Sequence, residues 1–149
     1  MATLHHQVWI NARVATAYEL LATAEGLSQW WAPHTSSETD AGLVLVHDPG
    51  PAHGPVKMKV IERIPNRRVE WEIISTHPKN SPASAWTGTR IVFEIVERDN
   101  IAALSGFGTD GDRVAVVEFR HSGWDEHSPY FRLLQLCVGA SVEHAQEVV

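Results

Sequence analysis

Cysteine is all but absent from this chain. The single Cys137 excludes an internal disulfide and any multi-cysteine metal site. It falls on an apolar stripe near the C-terminus, where a buried structural thiol is expected. No apolar run approaches the length of a membrane span, so membrane insertion is not expected. Met1 to Gln7 lacks the basic-then-apolar pattern of a secretory signal, which makes the expected location cytoplasmic. Positive charge is also scarce: 12 Lys and Arg stand against 18 Asp and Glu, a formal charge of -6. That balance excludes a nucleic-acid partner, which needs a basic footprint. The one basic cluster, Lys57, Lys59, Arg63, Arg67 and Arg68, is interleaved with Glu62, Glu70 and Glu72. The nine histidines form no HxH, HExxH or helical i, i+4 pair, so neither a metal nor another cofactor is expected. A GxSxG nucleophile motif is missing too.

The 149 residues, 44% hydrophobic and 20% charged, suit one globular domain spanning 1–149 with a sizeable core. Six tryptophans supply large contact area for a core or a pocket wall. The strongest periodic signal lies at the end of the chain. Tyr130, Leu133, Leu134, Cys137, Val138, Ser141, Val142, Ala145, Val148 and Val149 keep the i, i+3, i+4, i+7 spacing of one helix face. Ser128 is placed to cap this helix and Pro129 suits its first position. A helix from Pro129 onward would be about 30 Å long.

Upstream, Leu4 to Ile10 alternates and predicts a strand. Asn11 is placed to cap a short helix carrying Val14, Ala17, Tyr18 and Leu21. A second short helix carries Leu27, Trp30 and Trp31 and stops before Pro33. A polar stretch, His34 to Ala41, precedes an apolar run from Leu43 to Val46. Asp48 to Pro55 is a Pro/Gly-rich loop. Val56 to Ile64 and Arg67 to Ile74 form a hairpin about Pro65-Asn66, with Val60 opposite Trp71, Met58 opposite Ile73 and Lys59 opposite Glu72. Its inner face is apolar and its outer face charge-paired; the same register carried onward puts Glu62 on the inner face. Ser75 to Ala85 reads as a loop, Arg90 to Glu97 as a strand, Asn100 to Asp112 as a long connection, and Val114 to His121 as the last strand. Strands joined by turns, with helices segregated in sequence, define an α+β domain with an antiparallel sheet.

Five stretches in this order carry a family resemblance: WWAPH at Trp30–His34, Gly42 with its following strand, GPVKMKVIERIPNRRVEW at Gly54–Trp71, WTGTRIVFEI at Trp86–Ile95 and FRHSGW at Phe119–Trp124. Together they resemble the AHSA-type branch of the START and polyketide-cyclase superfamily, to which birch-pollen-allergen-like proteins also belong. The resemblance implies a helix-grip fold, a curved antiparallel sheet wrapped around a long C-terminal helix, with two short helices after the first strand. It also implies a cavity between sheet and helix for a hydrophobic or amphipathic small molecule. It transfers no catalytic residue. The chain departs from the pattern in having no tryptophan after Trp124 and in the length of the Asn100–Asp112 connection.

The residues expected to line that cavity are Trp30, Trp31, Met58, Trp71, Trp86, Phe93, Phe119 and His121. Aromatics of this kind line pockets and equally fill cores. His121 shares its strand face with Phe119 and is either a general base or ligand contact, or a histidine bonded to a nearby backbone group. Glu62 is either an acid/base group with a raised pKa or a solvated turn residue. Three functions follow. The first is a carrier or sensor of a hydrophobic small molecule. The second is a cyclase- or dehydratase-type enzyme using His121 or Glu62. The third is a chaperone-interaction module, since the heat-shock ATPase activator that names the branch resembles this chain in its C-terminal domain. The expected partner is the small molecule, and the composition also allows a weak homodimer.

Overall fold

The structure, a computed structural model, describes residues 1–99 and 113–130. The expected C-terminal helix stripe from Leu133 to Val149 and the Asn100–Asp112 connection lie outside the described residues. Ser128 lies within them, and its Oγ accepts from the Tyr130 N–H at 3.3 Å, the kind of bond expected of a cap.

The described chain runs β1 (Ala2–Ile10), α1 (Val14–Ala22), α2 (Ala24–Trp30), β2 (Thr35–Thr39), β3 (Gly42–His47), β4 (Val56–Ile64), β5 (Arg68–Ile73), a 3₁₀ turn (Pro82–Trp86), β6 (Arg90–Asp99) and β7 (Arg113–Trp124). The strands form one seven-stranded sheet in the order β1-β7-β6-β5-β4-β3-β2, and every neighbouring pair is antiparallel. The sheet is a meander from β2 to β7, with β1 returning to pair with β7. This is the expected α+β architecture.

Two boundaries differ from the sequence reading. The polar stretch after Pro33 contains an exposed edge strand, β2. Its side chains carry no apolar alternation because only its backbone is used, in pairing with β3. The first helix begins at Val14, with Arg13 rather than Asn11 at the cap position and no side-chain cap bond. The intervening residues are taken by a tight turn in which the Ala12 N–H reaches the Ile10 carbonyl at 2.8 Å.

Thr23 separates the two helices. Its Oγ1 donates to the Glu19 carbonyl and accepts from the Gly26 N–H, both at 2.9 Å. It thus closes α1 and caps α2 at once. The close crossing of the helices depends on Gly26, because a Cβ there would stand 2.0 Å from the Glu19 carbonyl oxygen and 2.6 Å from the Leu20 Cα. Both are backbone atoms with no room to yield.

Pairing across the sheet builds the core row by row. Leu4, His121, Ile91, Trp71 and Val60 are successive register partners over five strands. The hairpin register Met58–Ile73, Lys59–Glu72 and Val60–Trp71 is the expected one. Its turn is closed by the Arg67 N–H on the Ile64 carbonyl at 3.0 Å, with Asn66 at φ 62°, a conformation Asn tolerates.

The expected inward position of Glu62 is corrected. A register shift between Val60 and Glu62 pairs Glu62 with Glu70. One extra residue, Ile61, reverses the alternation that follows it. Glu62 therefore emerges on the outer face, where its Oε1 meets Arg68 Nε at 2.9 Å. Arg68 also pairs with Glu70 and Glu94 there.

Gly26→Ala is expected to destabilise the protein by roughly 2 kcal/mol or more, because overpacking against backbone cannot be relieved by a rotamer change. Urea unfolding monitored by tryptophan fluorescence measures this. A loss within half a kcal/mol, about the effect of an ordinary surface change, would show that the α1–α2 crossing is not so close.

Candidate functional site

Seven of the eight residues singled out from the sequence form one unbroken chain of rings. Trp30 and Trp31 have centroids 6.0 Å apart, and Trp31 and Trp86 6.2 Å. Trp86 stands edge-on to His121 at 5.2 Å, and His121 is 6.2 Å from Phe119. Phe119 to Phe93 and Phe93 to Trp71 are each 5.2 Å. These offset and edge-on geometries suit ring quadrupoles. Met58, the eighth, is fully buried beside this chain through its pairing with Ile73. Trp31 alone is only partly buried. Trp30 has a structural duty, as its Nε1 donates to the Leu20 carbonyl at 2.8 Å and ties α2 to α1.

His121 sits at the centre of the chain with no exposed surface. Its Nε2 lies 2.7 Å from Thr89 Oγ1. Thr89 Oγ1 in turn lies 2.6 Å from the Trp86 carbonyl, which can only accept. The single hydroxyl proton of Thr89 is therefore committed to Trp86, and His121 Nε2–H must be the donor to Thr89. This relay sets the tautomer and leaves His121 Nδ1 a bare acceptor. Nδ1 is sealed from solvent and has no hydrogen-bond partner among the described residues. The same holds for Trp71 Nε1 and Trp86 Nε1. Burial pushes the His121 pKa down to about 3, so the imidazole is neutral at physiological pH.

The sequence reading missed Thr89, Trp124, His34 and His47. Trp124 packs 4.3 Å from His121. His34 and His47 pack 4.7 Å from each other and 5.0 and 4.8 Å from Trp31. The His34 Nδ1–H donates to the Ala32 carbonyl at 2.5 Å, which leaves Nε2 bare in the neutral ring. His34 Nε2 and His47 Nδ1 are both buried without partners among the described residues. Burial lowers the His34 pKa. Burial, with the neighbouring His34 opposing a second charge, lowers that of His47 to about 4. The only sequence signal for His47 was its place two residues beyond Leu45 on one strand face. His34 and Thr89 lie outside any strand and carried no such signal.

Beyond this pair, the loops at the same end are pinned by side chains. Ser75 Oγ–H donates to His77 Nε2 at 2.8 Å, and His77 Nδ1–H donates to the His53 carbonyl at 2.8 Å. No three His, Cys, Asp or Glu side chains converge as a metal site among the described residues. A groove of about 300 Å³ between α1 and α2, lined by residues including Thr16, Glu19 and Gln29, shares no residue with the ring chain. No helix among the described residues is long and apolar enough to cross a membrane.

Chemically, the ring chain offers an apolar surface with a few fixed hydrogen-bonding atoms and no charge. Its central histidine is a poor proton carrier near pH 7, since its pKa lies far below that range. The burial also sets a pH dependence. The folded pKa of about 3 is below the unfolded value near 6.5, so the unfolded chain takes up the proton first. Stability should therefore fall as pH drops below about 6.5 and keep falling toward pH 3, by up to about 1.4 kcal/mol per pH unit from His121. Urea unfolding between pH 7.5 and 5 should show this slope, and His121→Gln should lessen it. An unchanged slope in His121→Gln would refute the assignment.

Neither a family model nor a curated protein matches the chain. Solved structures do match in fold. The solution structure of the Aha1 dimer from Colwellia psychrerythraea superposes with a TM-score of 0.68 at 24% identity, covering 99% of this chain and 95% of that one. A Mesorhizobium loti protein superposes with a TM-score of 0.67 at 11% identity, over 99% and 96%. A Bacillus halodurans protein does so with a TM-score of 0.65 at 16% identity, over 100% and 97%. The described residues therefore share the fold of these structures, the Colwellia Aha1 among them.

Proposed function

We propose that this protein is a carrier or sensor that binds an amphipathic small molecule against the inner face of its sheet. The ring chain from Trp30 to Trp71 is the observation that carries this reading. It is continuous, almost wholly apolar and lies on the face toward which the C-terminal helix pattern is expected to pack. Pockets for small molecules are lined in this manner, by aromatic side chains with a small number of placed polar groups. The five ordered motifs and the Aha1-like fold support assignment to the AHSA-type branch. On this reading the protein is cytoplasmic, and the dimeric state of the Colwellia structure supports a weak homodimer.

The acid/base alternative has less support. His121 is neutral down to about pH 3, and Glu62 is ion-paired on the opposite face of the sheet. The imidazole is therefore not poised for proton transfer near neutrality, and Glu62 faces away from the ring chain. No feature of the described residues favours the chaperone-interaction reading beyond the shared fold.

Native mass spectrometry of freshly purified protein should detect a co-purifying small molecule. In the stripped protein, anilinonaphthalene sulfonate should quench tryptophan emission and be displaced by the extracted material. Phe119→Ala should weaken probe binding by up to about tenfold, the effect of losing one aromatic contact. Absence of both a co-purifying molecule and probe binding would overturn the proposal.

A further inference from the structure

We propose that Trp86 and His121 form a hydroxyl-selective clamp, so that the ligand of this protein carries an alcohol or phenol group on an apolar body. The inference rests on the binding function proposed above and narrows its ligand class.

The relay runs from His121 through Thr89 to the Trp86 carbonyl. It removes every donor proton from Nδ1 and leaves a lone pair. Beside it, the Trp86 ring stands edge-on at a centroid distance of 5.2 Å and an interplanar angle of 81°. Its Nε1–H is a donor only. Both atoms are sealed from solvent and unpartnered among the described residues. Such groups are costly when left unmade and are seldom without a purpose.

One chemical group satisfies both at once. A hydroxyl accepts from Trp86 Nε1–H and donates to His121 Nδ1. With each bond about 2.9 Å long, its two partners would stand roughly 4.5–5 Å apart. The rings must part enough to admit an oxygen. A hydrocarbon leaves both atoms unmet. An ether satisfies only the tryptophan. A carboxylate brings no proton for Nδ1 and sets its charge beside an imidazole that burial keeps neutral. A site built to hydrogen-bond a hydroxyl discriminates against analogues lacking it far more strongly than an apolar pocket discriminates by size.

The test compares four probes of one shape: 1-naphthol, 1-methoxynaphthalene, naphthalene and 1-naphthoate. Affinities are measured by tryptophan quenching on the stripped full-length protein. The expected result is 1-naphthol at least tenfold tighter than each of the others. Trp86→Phe keeps a ring but removes the donor, and should erase the advantage of 1-naphthol while retaining naphthalene binding. His121→Phe should do the same. If that variant does not fold, Trp86→Phe and a spectroscopic measurement still decide. Nitrogen-15 NMR of the wild-type histidines should show the Nε2–H tautomer of His121, with an Nδ1 resonance that moves on adding 1-naphthol and stays with naphthalene. Equal affinity for 1-naphthol and naphthalene would overturn the clamp and leave the carrier reading intact. A preference that survives Trp86→Phe would overturn it as well. Failure of all four probes to bind would instead overturn the carrier reading, and the clamp with it.

Discussion

The hydrogen-bond relay from His121 to Thr89 to the Trp86 carbonyl is the constraint on which the interior arrangement rests. It joins two segments far apart in sequence, β7 and the stretch that runs from the 3₁₀ turn to the start of β6. Gly88 and Thr89 in turn complete backbone pairing with Ile73, so the relay also fixes how the loop after β5 returns to the sheet. A buried histidine is expensive unless its polar atoms are met. Here one nitrogen is satisfied and the other has no partner among the described residues. The satisfied nitrogen determines the chemistry of the bare one, because it settles where the single proton sits.

Around that relay the sheet divides its labour between two faces. The inner face is aromatic and aliphatic, and the outer face is a lattice of arginines and glutamates centred on Arg68 and Arg120. Exposed ion pairs of this sort contribute little stability each; burial of the tryptophans and phenylalanines contributes far more. The outer lattice serves register and solubility instead. A one-residue slip would put glutamates into the core and rings into water, which no small electrostatic gain offsets.

The absence of a group that titrates near neutrality in the ring chain shapes the functional reading. Enzymes that move protons hold a side chain near the working pH, whereas the central imidazole here is held far from it. A site of fixed, neutral donors and acceptors on an apolar wall suits the proposed recognition of a ligand better than proton-transfer chemistry. The fold alone would not distinguish these, because the same scaffold hosts unrelated functions. The protonation state of one buried ring is what favours the binding proposal.

Much of the architecture was legible in the residues. Alternation and the Pro65-Asn66 turn sufficed for the β4–β5 register, because a tight turn and one buried face leave a single alignment. The ring residues of β5 to β7 were legible as inner-face residues for the same reason. Glu62 was misplaced because a bulge inserts one residue without any mark in the pattern. The edge strand β2 was missed because it is polar throughout and pairs by backbone alone. His34, His47 and Thr89 join the site only through contacts between segments that are distant in the chain. By itself, then, the sequence determined which side chains face inward wherever the strand is unbroken by a bulge, since period-two burial is a local property of a strand. Only the tertiary structure decided which of them lack a hydrogen-bond partner among the described residues, since that depends on where distant segments bring their donors and acceptors.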